Sequence, residues 1–280
     1  MAMSSSAAVV TAVTTRSCPE RRSRRALRVC SISEYGQKAH TFQGSGVVAW
    51  AARGTSGRAR GHRLNAVSAS EKKMRVAVDV DEVLARFLCS LNNFIEETHD
   101  EKYELSDFHI YEFRHIWKCD QDESNERVHA FFRSPHFAHG ILPIDGARET
   151  LSQLQDCFEF DVVTSRQHAI KGETLAWLEE HFSGLLSAVH FGNHYALEGP
   201  SRKKSEICLE IGASVLIDDN PRYAIEVAEA GIDVLLFDWD SCYPWTKPDD
   251  IDMEHPLVRR VHSWDDVERE LVALRARSLM

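Results

Sequence analysis

No apolar run in this chain approaches the roughly 18 to 20 residues that a membrane-spanning helix needs. The longest nearly apolar stretches, such as Val47 to Ala52 and Val234 to Phe237, are far shorter, so no membrane partner and a soluble product are expected. Cysteine pairs are also missing. Cys18 and Cys30 lie near the N-terminus, and no two of Cys89, Cys119, Cys157, Cys208 and Cys242 are closer than 30 residues. That spacing excludes a CxxC metal site and suggests no disulfide framework, leaving reduced, mostly buried thiols as the expectation. Acid is scarce at one end only. Residues 1–70 hold eleven Lys and Arg against Glu20 and Glu34, a charge of +9, while the remainder carries 22 basic and 41 acidic residues, a charge of −19.

The N-terminal segment opens Met-Ala-Met-Ser-Ser-Ser and is rich in Ser, Ala and Arg. This is the composition of an organellar transit peptide, and the uncharged Ala/Ser start favours the chloroplast over the mitochondrion, with a cytoplasmic location as a further alternative. The other reading of the segment is a disordered basic arm that binds nucleic acid or membrane. The acidic remainder should repel nucleic-acid backbones, which bind through neutralisation by Lys and Arg. At 280 residues and 43% hydrophobic content the chain is long enough to bury a sizeable core.

From Lys73 onward, β-branched apolar runs alternate with helical patterns. Strands are expected at Met74 to Asp79, Phe158 to Thr164, Ala188 to Phe191, Ser214 to Asp218 and Asp233 to Phe237. Helices are expected at Ala147 to Leu154 after Asp145 as cap, His168 to Phe182, Arg202 to Ile211 and Pro221 to Ala230, with a last helix capped by Ser263 and Asp266. Strands separated by helices imply an α/β fold, a doubly wound parallel sheet. Eighty-two residues separate Asp81 from Thr164, whereas a strand-helix-strand crossover needs only about 30. The surplus, which includes helix-like stretches at Ser106 to Trp117 and Asp120 to Phe132, reads as a small helical insertion after the first strand. Its aromatic residues, Phe108, Tyr111, Phe113, Trp117, Phe131, Phe132 and Phe137, are expected to form the insertion's own core. The organisation is thus residues 1–70 as a disordered leader, 71–84 with 143–280 as core, and 85–142 as cap.

In an open parallel sheet, ligands bind beyond the carboxyl ends of the strands. The strands deliver to that edge Asp79-Val80-Asp81-Glu82, Thr164-Ser165-Arg166, Gly192-Asn193-His194 and Asp218-Asp219-Asn220, and Lys203-Lys204 precedes the helix that feeds the last of these. On an extended backbone Asp79 and Asp81 point to one side. Those two carboxylates with Asp218 and Asp219 would repel strongly without a cation among them, and hard oxygen ligands open to water suit Mg²⁺. A metal, a Lys ammonium and hydroxyl donors together would also offset the repulsion that carboxylates exert on a phosphate dianion.

In order and spacing these pieces resemble the four motifs of the haloacid dehalogenase superfamily, over about residues 74–238. The resemblance implies a Rossmann-like core, an Mg²⁺ ion and an aspartyl-phosphate intermediate. It makes Asp79 the nucleophile and Asp81 the acid and then base. Thr164 would hold the phosphoryl group, and Lys204, or less favourably Lys203, would balance charge. Asp218 and Asp219 would hold the metal with Asp79 and the carbonyl of Asp81. The second acid favours phosphatases or phosphomutases, and the insertion is similar to the cap of the 5'(3')-deoxyribonucleotidases. Glu82 and Arg166 stand where that closer group has Gly and Pro. Ser165, Arg166, His194 and Lys203 are the expected substrate contacts, Arg166 through a carboxylate or second phosphate. The expected function is hydrolysis of a small phosphomonoester, with a nucleoside monophosphate as one candidate. The alternatives are a phosphomutase and a non-catalytic binding protein that keeps the fold.

Overall fold

The computed structural model describes residues 47–49, 72–110, 112–194, 196, 198–248, 251 and 253–280, all within one compact unit, Gly44–Met280. The rest of the basic N-terminal segment lies outside the described residues, as does Tyr111.

Six parallel strands form the sheet: β2 (Met74–Val78), β3 (Phe158–Thr164), β4 (Ala188–Phe191), β5 (Val215–Asp218), β6 (Asp233–Phe237) and β7 (Val258–Val261). Val47–Ala49, within the expected leader, forms a strand β1 antiparallel to β4, and the order is β1-β4-β3-β2-β5-β6-β7. The Asp-x-Asp strand β2 is therefore central. Its neighbours β3 and β5 carry the Thr-Ser and Asp-Asp pairs, so three motifs end side by side at one edge.

Burial explains the apolar runs. One face of the sheet, including Val76, Val78, Phe160, Val162 and Ile217, packs with α1 (Phe87–His99), α5 (Ala147–Leu154), α6 (Lys171–Phe182) and α9 (Trp264–Ser278). The other face, including Ala77, Val163, Leu216 and Leu236, packs with α7 (Lys204–Ile211) and α8 (Pro221–Glu229). The helix starts follow local chemistry. Asn220 accepts from the Arg222 N–H with Pro221 in the first turn, and Ser263 accepts from the Asp266 N–H.

Several expectations need correction, among them the mostly buried thiols, since of the described cysteines only Cys208 is buried and Cys89 and Cys157 are exposed. Gly146, with φ of 85°, is the N-cap of α5, and Asp145 instead pairs with Arg86 at 2.8 Å. The stretch Ser106 to Trp117 is broken into a 3₁₀ turn at Leu105–Asp107 and a five-residue helix, α2 (Phe113–Trp117). His168–Ile170 is a 3₁₀ turn ahead of α6. The strand β7 and the helix α1 were absent from the expectation altogether. β7 reads Val-Arg-Arg-Val, in which Arg259 pairs with Asp233 and Arg260 with Asp238.

The chain enters and leaves the insertion at adjacent points. Arg86 N–H donates to Leu142 at 2.9 Å and Ile144 N–H to Leu84 at 2.8 Å. Between them α1, α2, α3 (Gln121–Phe132) and α4 (Pro135–His139) gather around aromatic rings. Phe131 meets Phe87 edge-on at 5.3 Å and Phe137 at 5.4 Å, and Phe113 stacks on Trp117 at 5.0 Å. Phe108, Phe131 and Phe137 are buried, and at about 1.5–3 kcal/mol for each fully buried large side chain they anchor the insertion.

Candidate active site

A tight turn leaves β2. Leu84 and Ala85 N–H groups both return to the Val80 carbonyl, and Glu82 N–H donates to Ala85 at 2.8 Å. The turn places Glu82 at φ of 56°, the left-handed region that glycine enters without strain. A glutamate there costs on the order of 1 kcal/mol. Its side chain offsets that cost by accepting the Leu88 N–H at 2.6 Å, which satisfies the start of α1. Burial raises Glu82 to about 7, with the Leu88 N–H pulling the other way.

Lys204 is wholly buried between two carboxylates, 2.8 Å from Asp79 Oδ2 and 2.6 Å from Asp218 Oδ2. Burial alone would lower its pKa, but Asp218 and Asp79 outweigh that, and the net shift is upward, so it is an ammonium ion. Asp79 is raised to about 7 by burial and then by Asp218 and Asp81, against the pull of Lys204. Asp219 lies well above its ordinary value, first through burial and then through repulsion from Asp79 and Glu82. One ammonium does not neutralise this group.

A cation fits what is left over. Ligand atoms of Asp79, Asp218 and Asp219 all lie within 4.8 Å of one another. Asp79 Oδ1 is buried with no hydrogen-bond partner, which is costly unless something positive meets it. An all-oxygen donor set of this kind suits Mg²⁺. Asp219 is held in turn by Trp245, whose indole N–H donates to Oδ2 at 2.8 Å. That contact was not legible beforehand. The loop carrying Trp245 is pinned by buried Asp238, which accepts from the Tyr243 N–H at 3.0 Å and pairs with Lys247 at 3.2 Å and Arg260 at 3.3 Å.

The expected substrate contacts divide. Thr164 is fully buried, its hydroxyl accepting the Arg166 N–H at 3.2 Å. Ser165 Oγ is buried with no partner and is a donor in reserve. His194 is committed, one ring nitrogen 2.6 Å from Tyr223 Oη and the other 2.6 Å from the Arg202 carbonyl. Lys203 is exposed at the N-cap of α7, and among the described residues its side chain has no ion pair with the cluster. Arg166 is buried and aims its fork at Asp81, with Nη2 2.7 Å from Oδ1 and Nε 3.2 and 3.1 Å from Oδ1 and Oδ2.

The comparisons concern the family and the fold. The family model described as 5' nucleotidase, deoxy (pyrimidine), cytosolic type C protein matches residues 72–279. Among solved structures, a haloacid dehalogenase-like hydrolase from Streptococcus pneumoniae superposes with a TM-score of 0.52 at 12% identity, covering 73% of this chain and all (100%) of that one. A predicted phosphatase from Clostridium acetobutylicum gives 0.54 at 14% identity, covering 72% of this chain and 100% of its own. A haloacid dehalogenase family hydrolase from Deinococcus radiodurans, solved with bound phosphate and sodium, gives 0.50 at 14% identity, over 72% of this chain and 96% of its own. At such identities the likeness is one of fold. No curated protein matches the sequence.

Proposed function

Because the chain belongs to the family of cytosolic type C 5'-deoxynucleotidases, phosphoric monoester hydrolases of the haloacid dehalogenase type, we propose that it hydrolyses a small phosphomonoester with Mg²⁺, a pyrimidine deoxynucleoside monophosphate being the first candidate. The observation that carries this reading is Asp79, held at one oxygen by Lys204 with the other oxygen buried and unpartnered beside Asp218 and Asp219.

In the proposed reaction Asp79 attacks phosphorus, the ester P–O bond breaks, and the departing oxygen takes a proton from Asp81. Water then attacks phosphorus, Asp81 takes its proton, the bond to Asp79 breaks, and inorganic phosphate leaves. Ser165 Oγ and the Thr164 hydroxyl are the donors offered to the phosphoryl oxygens, and Lys204 balances the charge gathered around Asp79. Asp79, Asp218, Asp219 and the Asp81 carbonyl would hold Mg²⁺, which supplies charge neutralisation to the phosphoryl group when bound.

The test is phosphate release by the full chain, with Mg²⁺ or with chelator, over nucleoside monophosphates, sugar phosphates and p-nitrophenyl phosphate. Release that requires Mg²⁺ and ranks deoxynucleotides first is the expected result. Folded protein inert on every substrate would overturn the proposal. The proposal also takes residues 1–70 as a plastid transit peptide. Fused to a fluorescent protein they would direct it to plastids, and fluorescence confined to the cytosol would refute that assignment.

A further inference from the structure

Each of the three side-chain nitrogens of Arg166 already has a partner. Nε and Nη2 are spent on Asp81. Nη1 donates to Thr174 Oγ1 at 3.1 Å, and the Thr174 hydroxyl itself donates to the Ile170 carbonyl at 2.8 Å, which fixes its lone pair toward the arginine. The guanidinium lies over two rings of the insertion, 6.0 Å from Phe87 on α1 and 5.3 Å from Phe137 on α4. Its side chain is 3% exposed, against 30% for Asp81. A substrate anion taking the edge of the guanidinium that holds Asp81 would have to displace that carboxylate.

From this geometry we infer that Arg166 is the positioning residue of Asp81, the part that ties the seating of the cap to the proton-handling carboxylate. Of the two Asp81 oxygens, Oδ1 receives the short Nη2 bond, while Oδ2 receives only the longer contact with Nε. Oδ2 is thus the less engaged oxygen, the one left to handle a proton. A fork that grips a carboxylate by two donors fixes its plane, which a point charge does not. Rings from α1 and α4 together with a hydroxyl from α6 decide where the fork sits, so a shift of the cap moves Asp81.

The inference rests on the two-step reaction proposed above and predicts unequal damage to its steps. With p-nitrophenyl phosphate the leaving group departs without a proton, so the first step tolerates a misaligned Asp81. The second step needs Asp81 as base with every substrate. The experiment compares the wild-type full chain with Arg166→Met and Arg166→Lys, by stopped-flow absorbance and by steady-state kinetics on a nucleoside monophosphate, all with Mg²⁺. For both variants kcat should fall at least about tenfold with KM within about threefold, and a p-nitrophenol burst should rise toward about one per chain, above that of the wild type. Circular dichroism and melting report folding, and if the Met variant fails to fold, the Lys variant, which keeps the charge without the fork, decides. Wild-type kcat and burst in a folded variant would overturn the inference alone, as would a loss confined to KM, which would make Arg166 a substrate contact. Wild type that releases no phosphate with Mg²⁺ would overturn the reading of the whole site, and this inference with it.

Discussion

Acidic side chains meet opposite fates in the two halves of this molecule. At the carboxyl edge of the sheet, Asp79, Glu82 and Asp219 are buried together, and burial raises all three. In the helical insertion, Glu101 is lowered chiefly by its hydrogen bond from Arg127, and Glu112 by its bond from Arg114. The insertion's acids are arranged as folding alone would arrange them, near the surface beside partners. The three buried at the sheet edge oppose folding, since each ionised group must lose water among like charges. An arrangement that costs stability is where a function should be sought.

The largest expected effect follows from removing one of the opposed charges. Asp79→Asn should abolish phosphate release, by about 10⁴-fold or more, while its melting temperature in chelator does not drop. A drop of several degrees would mean that the carboxylate is structural. Next in size, Trp245→Phe removes the indole N–H from Asp219. Mg²⁺ affinity, measured by calorimetry, should weaken about 10- to 100-fold, as for other groups that orient a metal ligand. Unchanged affinity would show that Asp219 orients itself.

A last expected effect, on stability and not on activity or affinity, contrasts the two regions through pH. Folded Glu82 titrates at about 7, above its ordinary value. Its contribution to stability is therefore fully present below about pH 4.3 and is lost as pH rises through 7, by on the order of 3 kcal/mol. Glu101 has the opposite sign, because its folded value is lowered. Its contribution is present above the ordinary glutamate range and lost as pH falls through the folded value. Melting in chelator across pH 3 to 8 should thus decline at both ends, and Glu82→Gln should make only the alkaline side less steep, Asp79 and Asp219 supplying the rest of that decline. An unchanged alkaline limb in that variant would contradict the burial assigned to Glu82.

What the sequence disclosed follows the same division. Asp79, Asp81, Asp218 and Asp219 were legible because each sits at the end of an apolar run, and parallel strands must bring such ends to one edge. Lys204 was legible by its place before β5. The strand β7 was not, since its two arginines break the apolar pattern and are explained only by Asp233 and Asp238, more than 20 residues away. Glu82 could be seen to replace a glycine, but not that it would keep the turn at positive φ and cap α1. Nor could Arg166 be assigned to Asp81, because Thr174, Phe87 and Phe137 reach it from three different helices. Trp245 reached Asp219 through a loop whose path depends on buried Asp238.

The central claim is that the buried acids of the core are held for a cation. Its most direct measurement is the melting temperature of the wild-type full chain and of Asp79→Asn at pH 8, each in chelator and in Mg²⁺. The account predicts that Mg²⁺ raises the wild-type melting temperature by several degrees, as a ligand bound only by the folded state must, and that Asp79→Asn melts at or above the wild type in chelator with little response to Mg²⁺. A wild type indifferent to Mg²⁺, together with an Asp79→Asn variant that melts lower, would contradict it.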